Sequence, residues 1–244
     1  MSRFHPTAMI FGGFFLLGIL IILWGILLPD LSRELQLEPA QSGWFFMTMA
    51  LGTISGAFIG GKYVQKFDFL RLFALLALTE TVILLGISML QQRWQLFTGI
   101  YLFGLIASVM FTIGHTLIAR LHANKRAKMM GFMDFMFSLG TLAAPFLVVA
   151  LYWWQDNWRY PVRLMAFSLI GLAGYAYWLS RQQLELAGHS DTVRRSLSYR
   201  AVLKKPVFWA LAFAMFGYGA VEWGNGNWFV SYASAALPFD TEQA

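Results

Sequence analysis

Seven apolar stretches follow one another along the chain, and each is long enough to cross a lipid bilayer as a helix. A helix rises about 1.5 Å per residue, so roughly 20 apolar residues cross about 30 Å of hydrocarbon. Hydrophobic residues make up 58% of the 244 positions and charged residues only 12%, which is far from the composition of soluble domains. The sequence therefore predicts an all-α integral membrane protein. The predicted spans are 8–29, 41–61, 70–90, 96–119, 129–154, 160–180 and 206–235.

Basic residues are concentrated in every second connector between these stretches. Fourteen of the 18 Lys and Arg residues lie in one set of connectors, which includes the amino terminus, and four lie in the alternate set. Basic residues near helix ends are retained on the cytoplasmic side of a membrane. The pattern predicts a multi-pass protein of a bacterial inner membrane with a cytoplasmic amino terminus. The net charge of +6 follows from this topology and from contact with anionic lipid, and it predicts no nucleic-acid partner.

The longest polar connector separates six spans from one. It divides the chain into residues 1–180, the connector 181–205 and residues 206–244. Many transporters consist of two six-span halves joined by a cytoplasmic loop, and each half holds two inverted repeats of three spans. This organisation predicts a six-helix amino-terminal half followed by the first helix of a second half. We expect the rest of that second half to be cut off from this chain or supplied by a partner chain.

Several classes of function are disfavoured by what the sequence lacks. The chain contains no cysteine, which excludes disulfides and thiolate metal sites. It has no G-x-x-x-x-G-K-[ST] loop for ATP, and it has neither a serine nucleophile elbow nor paired intramembrane aspartates. The sequence predicts no enzyme activity, no cofactor and no metal site. A seven-span receptor is a further alternative, but such receptors place the amino terminus outside the cell, opposite to the charge pattern.

Two glycine-containing motifs resemble those of the major facilitator superfamily of transporters. The sequence GKYVQKFD at 61–68 resembles the superfamily's G-x-x-x-D-[RK]-x-G loop between spans two and three, and GFMDFMFSLGTLAAP at 131–145 resembles its G-x8-G-x3-G-P pattern in span five. The gating-loop residues that this resemblance implies are Gly61, Gln65, Lys66 and Asp68. The helix-packing residues that it implies are Gly131, Gly140 and Pro145.

A narrower resemblance is to the fucose permease branch of that superfamily, including its TsgA-like members. It rests on FFLLG at 14–18, FMDFMFSLG at 132–140 and GAVEWGNGNWFVSY at 219–232, and it covers essentially the whole chain. The acidic residues that fucose permeases carry in spans one and four fall at Gly25 and Phe111, which implies a rebuilt cavity. The resemblance implies a secondary transporter of a sugar or another small metabolite that works by alternating access. A proton is the candidate coupling ion, and a non-transporting half that needs a partner chain is the alternative.

Glu222 lies midway along span seven with Trp223 and Asn225 beside it. Four glycines fall within ten residues of this span, and each lowers helix stability by roughly 1 kcal/mol. They predict a break in the helix, whose freed backbone groups could bind a ligand beside the carboxylate. The alternative is close helix packing, with Glu222 hydrogen-bonded across a helix interface.

His115 in span four and Asp134 in span five are further ionisable candidates. His115 can change charge near neutral pH, and the family resemblance places it toward a central cavity; a buried neutral histidine bonded to a carbonyl is the alternative. A carboxylate at mid-bilayer costs about 2.5–3.5 kcal/mol on insertion scales. We therefore predict that Asp134 either pairs with Lys128 or Arg126 at the helix end or exchanges protons in a cavity.

Trp24 and Glu80 complete the candidate residues. Trp24 and Trp223 are predicted to line a cavity wall, where an indole ring can stack on a sugar, with lipid contact as the alternative. Glu80 lies in the middle of span three, and Thr79 and Thr81 beside it predict a packed polar cluster. Glu80 is a secondary candidate for the same site.

Overall fold

The protein is all-helical in the ranges 4–182 and 202–236, which are the residues that the computed structural model describes. The long helices of these ranges are α1 (Phe4–Glu34), α2 (Pro39–Tyr63), α3 (Phe69–Ile87), α4 (Arg93–Leu121), α5 (Arg126–Tyr152), α6 (Arg159–Arg181) and α7 (Pro206–Ala236). Each is long and apolar enough to cross a membrane, which confirms the predicted fold class. Most of the predicted connector and the last eight residues lie outside the described ranges.

The chain divides into two compact units. Residues Met1–Leu184 form the first, which we call the six-helix unit, and Glu185–Ala244 form the second, which contains α7. In the six-helix unit, the first turns of α1, α3 and α5 lie at the same end as the last turns of α2, α4 and α6. We call this the basic end, because among the described residues of the unit it carries Lys62, Lys66, Arg71, Arg120, Lys125, Arg126, Lys128 and Arg181.

Short polar caps begin the helices of the six-helix unit. Asp68 Oδ1 accepts hydrogen bonds from the backbone nitrogens of Leu70 (2.9 Å) and Arg71 (3.1 Å), which satisfies two of the donors at the start of α3. Reciprocal capping boxes begin α2 at Glu38 and Gln41, and a similar one begins α4. Asp68, a predicted gating-loop residue, therefore serves as a helix cap in this structure.

The helix pairings of the six-helix unit repeat themselves after three helices. The most extensive pairings are α2 with α4, α1 with α5, and α3 with α6. If each helix number is raised by three, and counting starts again at α1 after α6, the pair α1 and α5 becomes the pair α4 and α2. The same step leaves the pair α3 and α6 unchanged. Because each helix and its equivalent are three places apart in the chain, an odd number, the two repeats run in opposite directions through a membrane. The pattern is that of two inverted three-helix repeats.

Four glycines make close and equivalent approaches between these paired helices. A side chain on Gly18 would overlap the carbonyl oxygen of Phe137, and one on Gly140 would overlap that of Phe15, so α1 and α5 touch backbone to backbone. The equivalent crossing of α2 and α4 is made by Gly52 against Tyr101 and by Gly104 against Met49. Small residues permit such approaches between membrane helices, where dispersion and weak hydrogen bonds supply the attraction. The two repeats thus use matching glycine pairs.

Helices α1 and α4 form the interior of the six-helix unit. The large side chains that are fully buried include Phe14 and Trp24 from α1, Phe45 from α2, Phe73 from α3 and Phe103 from α4. In contrast, α2 and α5 each expose one long face. The exposed face of α5 carries Asp134 among apolar side chains, and it frames the candidate site described below.

The end of the six-helix unit opposite the basic end is held by one charged network. Glu34 at the end of α1 accepts hydrogen bonds from Trp158 Nε1 (2.7 Å) and from the Arg159 guanidinium (2.8 Å). Arg159 Nε also donates to the carbonyl oxygen of Ser88 (3.1 Å), and Arg163 Nε donates to the hydroxyl oxygen of Ser88 (3.2 Å). This network joins α1, α3 and α6 at one end of the unit.

Candidate functional site

His115 of α4 and Asp134 of α5 face each other on the outer surface of the six-helix unit. His115 Nε2 lies 3.7 Å from Asp134 Oδ1, and 35% and 65% of the two side chains are exposed. His115 lies about 9 Å along α4 from its last residue, and Asp134 lies about 12 Å along α5 from its first. The pair therefore lies within the span, between the basic end and the midplane.

The hydrogen bond of His115 Nδ1 determines which ring nitrogen carries the proton of the neutral imidazole. His115 Nδ1 lies 2.9 Å from the carbonyl oxygen of Phe111, an acceptor, so Nδ1 carries a proton. Neutral imidazole then presents a lone pair from Nε2 to the lone pairs of the Asp134 carboxylate. The contact becomes attractive when one further proton sits on Nε2 or on the carboxyl group. The separation of 3.7 Å is longer than a hydrogen bond, so the two groups are neighbours whose interaction depends on where their protons lie.

Aromatic rings from three helices surround the imidazole of His115. Phe14 of α1 meets it edge-on at 5.2 Å between ring centroids, and Phe111 of α4 stacks against it at 5.8 Å. Phe137 of α5 packs against Phe111 at 5.3 Å. The fully buried ring of Phe14 restricts the imidazole from inside the unit, and the half-buried rings of Phe111 and Phe137 give the site an apolar wall. We call His115, Asp134, Phe14, Phe111 and Phe137 the His–Asp site.

The alternative partners predicted for Asp134 lie elsewhere. Lys128 lies over the ring of Phe132, 5.9 Å from its centroid. Six residues of α-helix separate Lys128 from Asp134 and turn the chain by about 600°, so the two side chains point to different sides of α5. The prediction that Lys128 braces Asp134 is therefore wrong in this structure, and the ion-pair partner found for Asp134 is His115.

Trp24 is placed inside the helix packing. Its side chain is fully buried against Phe103 (5.4 Å) and Phe45 (6.1 Å), and its indole nitrogen has no hydrogen-bond partner among the described residues. A ring in this position lines no open surface in this conformation. The prediction of a cavity-wall tryptophan at this position is therefore not matched by the structure.

The second unit carries the other predicted binding residues on α7. Glu222 and Asn225 are exposed in this unit, and Trp223 is half-buried. Helix α7 runs without interruption from Pro206 to Ala236, so the predicted break at the glycines is absent. The helix is continuous because its hydrogen-bond ladder offsets the weak helix propensity of glycine. Glu222 lies at the middle of the helix, about 24 Å from its first residue.

The remaining motif residues lie at the basic end and along α5. Gly61 and Lys66 are exposed at the end of α2 and in the 3₁₀ turn that follows, and Gln65 belongs to the same turn. In α5, Gly140 makes the close approach to α1, whereas a side chain on Gly131 would meet nothing within 4 Å. Pro145 is exposed within the helix. Of the three predicted packing residues, Gly140 is the one in a tight helix contact.

A comparison with known families identifies the fold. The family model described as Major Facilitator Superfamily matches residues 9–242, nearly the whole chain. The chain belongs to the major facilitator superfamily. The inverted repeats and the helix pairings of the six-helix unit are accordingly those of a superfamily half, and the His–Asp site lies on α4 and α5 of that half.

Characterised relatives of this superfamily member are named as sugar transporters. A D-xylose transporter of Levilactobacillus brevis is 25% identical over 170 residues, which are 68% of this chain and 37% of that protein. Sodium-dependent glucose transporter 1 of Homo sapiens is 27% identical over 139 residues, 57% of this chain and 27% of that protein. The Rattus norvegicus protein of the same name is 28% identical over 148 residues. The matched regions span 27% to 37% of the length of these relatives.

Proposed function

We propose that this protein is a secondary transporter of a sugar or a similar small polar solute, with no enzyme activity of its own. It would work by alternating access, with the six-helix unit as one of two halves and α7 as the first helix of the other. Membership of the superfamily and the printed names of its relatives support the class of function. The amino terminus would lie in the cytoplasm, because the basic end carries eight of the 12 Lys and Arg residues that are described in the six-helix unit.

The observation that carries this proposal is the exposed polar surface at the His–Asp site. An ionisable side chain that faces lipid in the centre of a membrane costs about 2.5–3.5 kcal/mol or more. Asp134 is two-thirds exposed in the six-helix unit although it lies within a span. This surface is therefore suited to face water or protein, as the wall of a solute pathway between two halves does. We propose that a second half, in this chain or in a partner chain, covers it.

The His–Asp site supports a proton as the coupling ion. A pair that holds one proton, on Nε2 of His115 or on the carboxyl group of Asp134, can take up that proton on one side of the membrane and release it on the other. The names of two relatives raise sodium as the alternative. The proton is favoured because His115 and Asp134, which lie 3.7 Å apart, are both groups that can carry one.

The aromatic wall of the His–Asp site supports a sugar as the solute. Aromatic rings offer apolar faces against which the C–H faces of a sugar ring pack, and polar groups beside them bind its hydroxyls. Phe111, which stacks against the imidazole of His115, and Phe137, which packs against Phe111, are half-buried and provide such rings. The fucose permease branch suggested by the sequence would also transport a sugar, and this assignment stays a prediction.

Uptake measurements test the proposal directly. Cells would express the chain from its native reading frame, with any further spans that the frame encodes, and would be offered radiolabelled xylose and glucose in separate assays. Uptake above that of cells without the gene, abolished by dissipating the proton gradient, is the expected result. Uptake that follows a sodium gradient instead would contradict the proposed coupling. Absence of uptake for a panel of sugars would contradict the proposed substrate class.

The Glu222→Gln variant tests whether the second unit contributes to the same pathway. We expect loss of solute uptake with unchanged membrane insertion, because glutamine keeps the shape of the side chain but cannot bind a proton or carry a charge. Glu38→Gln is the matched control, since Glu38 is an exposed residue at the start of α2 and its change should leave uptake unaltered. Normal uptake by the Glu222→Gln protein would remove Glu222 from the pathway.

A further inference from the structure

Glu80 of α3 is a fully buried acidic residue in the six-helix unit. Its exposed fraction is 0%, and neither carboxyl oxygen meets a hydrogen-bond donor among the residues that the structure describes. Helix α3 packs chiefly against α6 and, to a smaller extent, against α4. The side chain is therefore held inside the unit and is separate from the exposed His–Asp site.

The hydroxyl groups nearest to Glu80 in the sequence are occupied by backbone carbonyls. Thr81 donates to the carbonyl oxygens of Ala77 (2.9 Å) and Ala166 (3.2 Å), the second of which belongs to α6. Thr79 donates to the carbonyl oxygen of Leu75 (2.9 Å). The predicted polar cluster of Glu80 with these threonines does not form, because each hydroxyl bonds to a helix backbone instead.

The charged groups of the neighbouring helices lie far from Glu80 along the helix axis. On α6, Arg159 and Arg163 bind Ser88, eight residues and about 12 Å further along α3. On α4, Arg120 lies over the ring of Phe69, about 16 Å from Glu80 in the other direction. The remaining ionisable groups of these two helices are Arg93, Tyr101 and His115 on α4 and Tyr160, Tyr175, Tyr177 and Arg181 on α6. His115 is paired with Asp134, and Arg181 donates a hydrogen bond to the hydroxyl group of Tyr177.

A carboxylate ion cannot be accommodated in such a position. Burying an ionised carboxyl group without a partner costs far more than the few kcal/mol of net stability that a protein possesses, so the group is retained in its neutral, protonated form. A metal cation is a poor alternative. Hard cations need several oxygen ligands, whereas both oxygens of Glu80 are enclosed and no acidic or histidine cluster surrounds them among the described residues.

We propose that Glu80 is a proton-binding site at the interface between α3 and α6, independent of the His–Asp site. It holds one proton in the conformation described here. Because the ionised form needs water, the proton leaves only when this interface opens and water reaches the carboxyl group. Proton release at Glu80 is thereby coupled to a movement of α3 against α6, the pair that is shared by the two inverted repeats. The proposal does not depend on the identity of the transported solute.

Infrared spectroscopy of the purified chain in lipid nanodiscs tests this proposal. At pH 7 we expect a carbonyl stretching band of a protonated carboxylic acid, which shifts in heavy water only slowly because the group is enclosed. The band should be absent from the Glu80→Gln protein and present in the Glu38→Gln protein, since an exposed carboxyl group is ionised at this pH. Modification by the hydrophobic reagent dicyclohexylcarbodiimide, which attacks protonated carboxyl groups, should be lost in the same variant alone.

Three results would overturn the assignment of a proton to Glu80. A band that persists in Glu80→Gln, or a wild-type spectrum without any such band, would overturn the proposal, and so would protection from the reagent by sodium ions at constant pH. If the Glu80→Gln protein does not fold, wild-type protein labelled with carbon-13 glutamate replaces it. The band must then move to the frequency of the labelled acid, and an unmoved band would exclude a glutamate.

Discussion

Replacing Asp134 by asparagine is expected to abolish proton-driven solute uptake while the six-helix unit stays folded. The asparagine amide keeps the shape of the side chain but has no site that binds a proton, so the pair with His115 can no longer take up and release one. An exposed ion pair contributes about 0–1 kcal/mol to stability, and in this contact 65% of the Asp134 side chain is exposed. The loss of uptake would therefore reflect lost chemistry and not unfolding.

The measurement for Asp134→Asn is alkalinisation of a weakly buffered suspension of expressing cells when the solute is added. Wild-type cells should alkalinise the medium, and Asp134→Asn cells should not. Asp156→Asn is the matched control, because it removes one carboxylate from the exposed connector between α5 and α6 and should leave the signal unchanged. If His115 and Asp134 bind one proton together, the double variant His115→Gln, Asp134→Asn should be no worse than the single variant. Normal alkalinisation by Asp134→Asn would refute the assigned role.

The fold of this chain is largely predictable because lipid imposes a simple rule on it. Backbone groups have no water to bind in the hydrocarbon region, so apolar stretches of sufficient length form helices regardless of fine sequence detail. The span predicted at 96–119 is part of α4 (Arg93–Leu121), and that predicted at 206–235 is nearly the whole of α7 (Pro206–Ala236). The observed helix ends differ from the predicted ones by a few residues, in part because polar caps set where a helix begins. Asp68 caps α3, which begins at Phe69 and not at residue 70.

The His–Asp site was only partly predictable. The sequence indicates that His115 and Asp134 are unusual within apolar spans, but they are 19 residues apart in different helices, and no local spacing rule brings them together. Proximity along the chain suggests Lys128 or Arg126 as a partner for Asp134, with proton exchange in a cavity as the alternative, and it does not indicate His115. The contact depends instead on how α4 packs beside α5. The aromatic wall is not predictable from the sequence, because Phe111 and Phe137 look like ordinary core residues.

The burial of Trp24 shows the same difficulty. A tryptophan in the middle of a span can lie in lipid, line a cavity or fill the core, and the period of its neighbours does not separate these cases when the helix is apolar on all sides. Helix α1 is such a helix, and its interior position places Trp24 against Phe45 and Phe103. In contrast, the glycine pattern of α5 carries usable information, since Gly140 lies where α1 crosses.

Replacing Gly140 by alanine is expected to destabilise the six-helix unit strongly, by about 1–3 kcal/mol or more. The added methyl group would overlap the carbonyl oxygen of Phe15 and crowd the backbone nitrogen of Ile19, and a backbone cannot turn aside as a flexible side chain can. Helices α1 and α5 would have to separate along one of the most extensive pairings of the unit. The midpoint of thermal unfolding in a fixed detergent measures this loss.

The same substitution at Gly131 is the matched control, because it lies in the same helix with nothing within 4 Å of the new methyl group. We expect no loss there, or a gain of roughly 0.5–1 kcal/mol from the better helix propensity of alanine. The inverted repeats extend the prediction, since Gly104→Ala should destabilise the α2 and α4 crossing as Gly140→Ala destabilises that of α1 and α5. Equal unfolding midpoints for the Gly140 and Gly131 variants would show that the backbone contact is not made. A harmless Gly104→Ala would show that the two repeats are not held together by equivalent contacts.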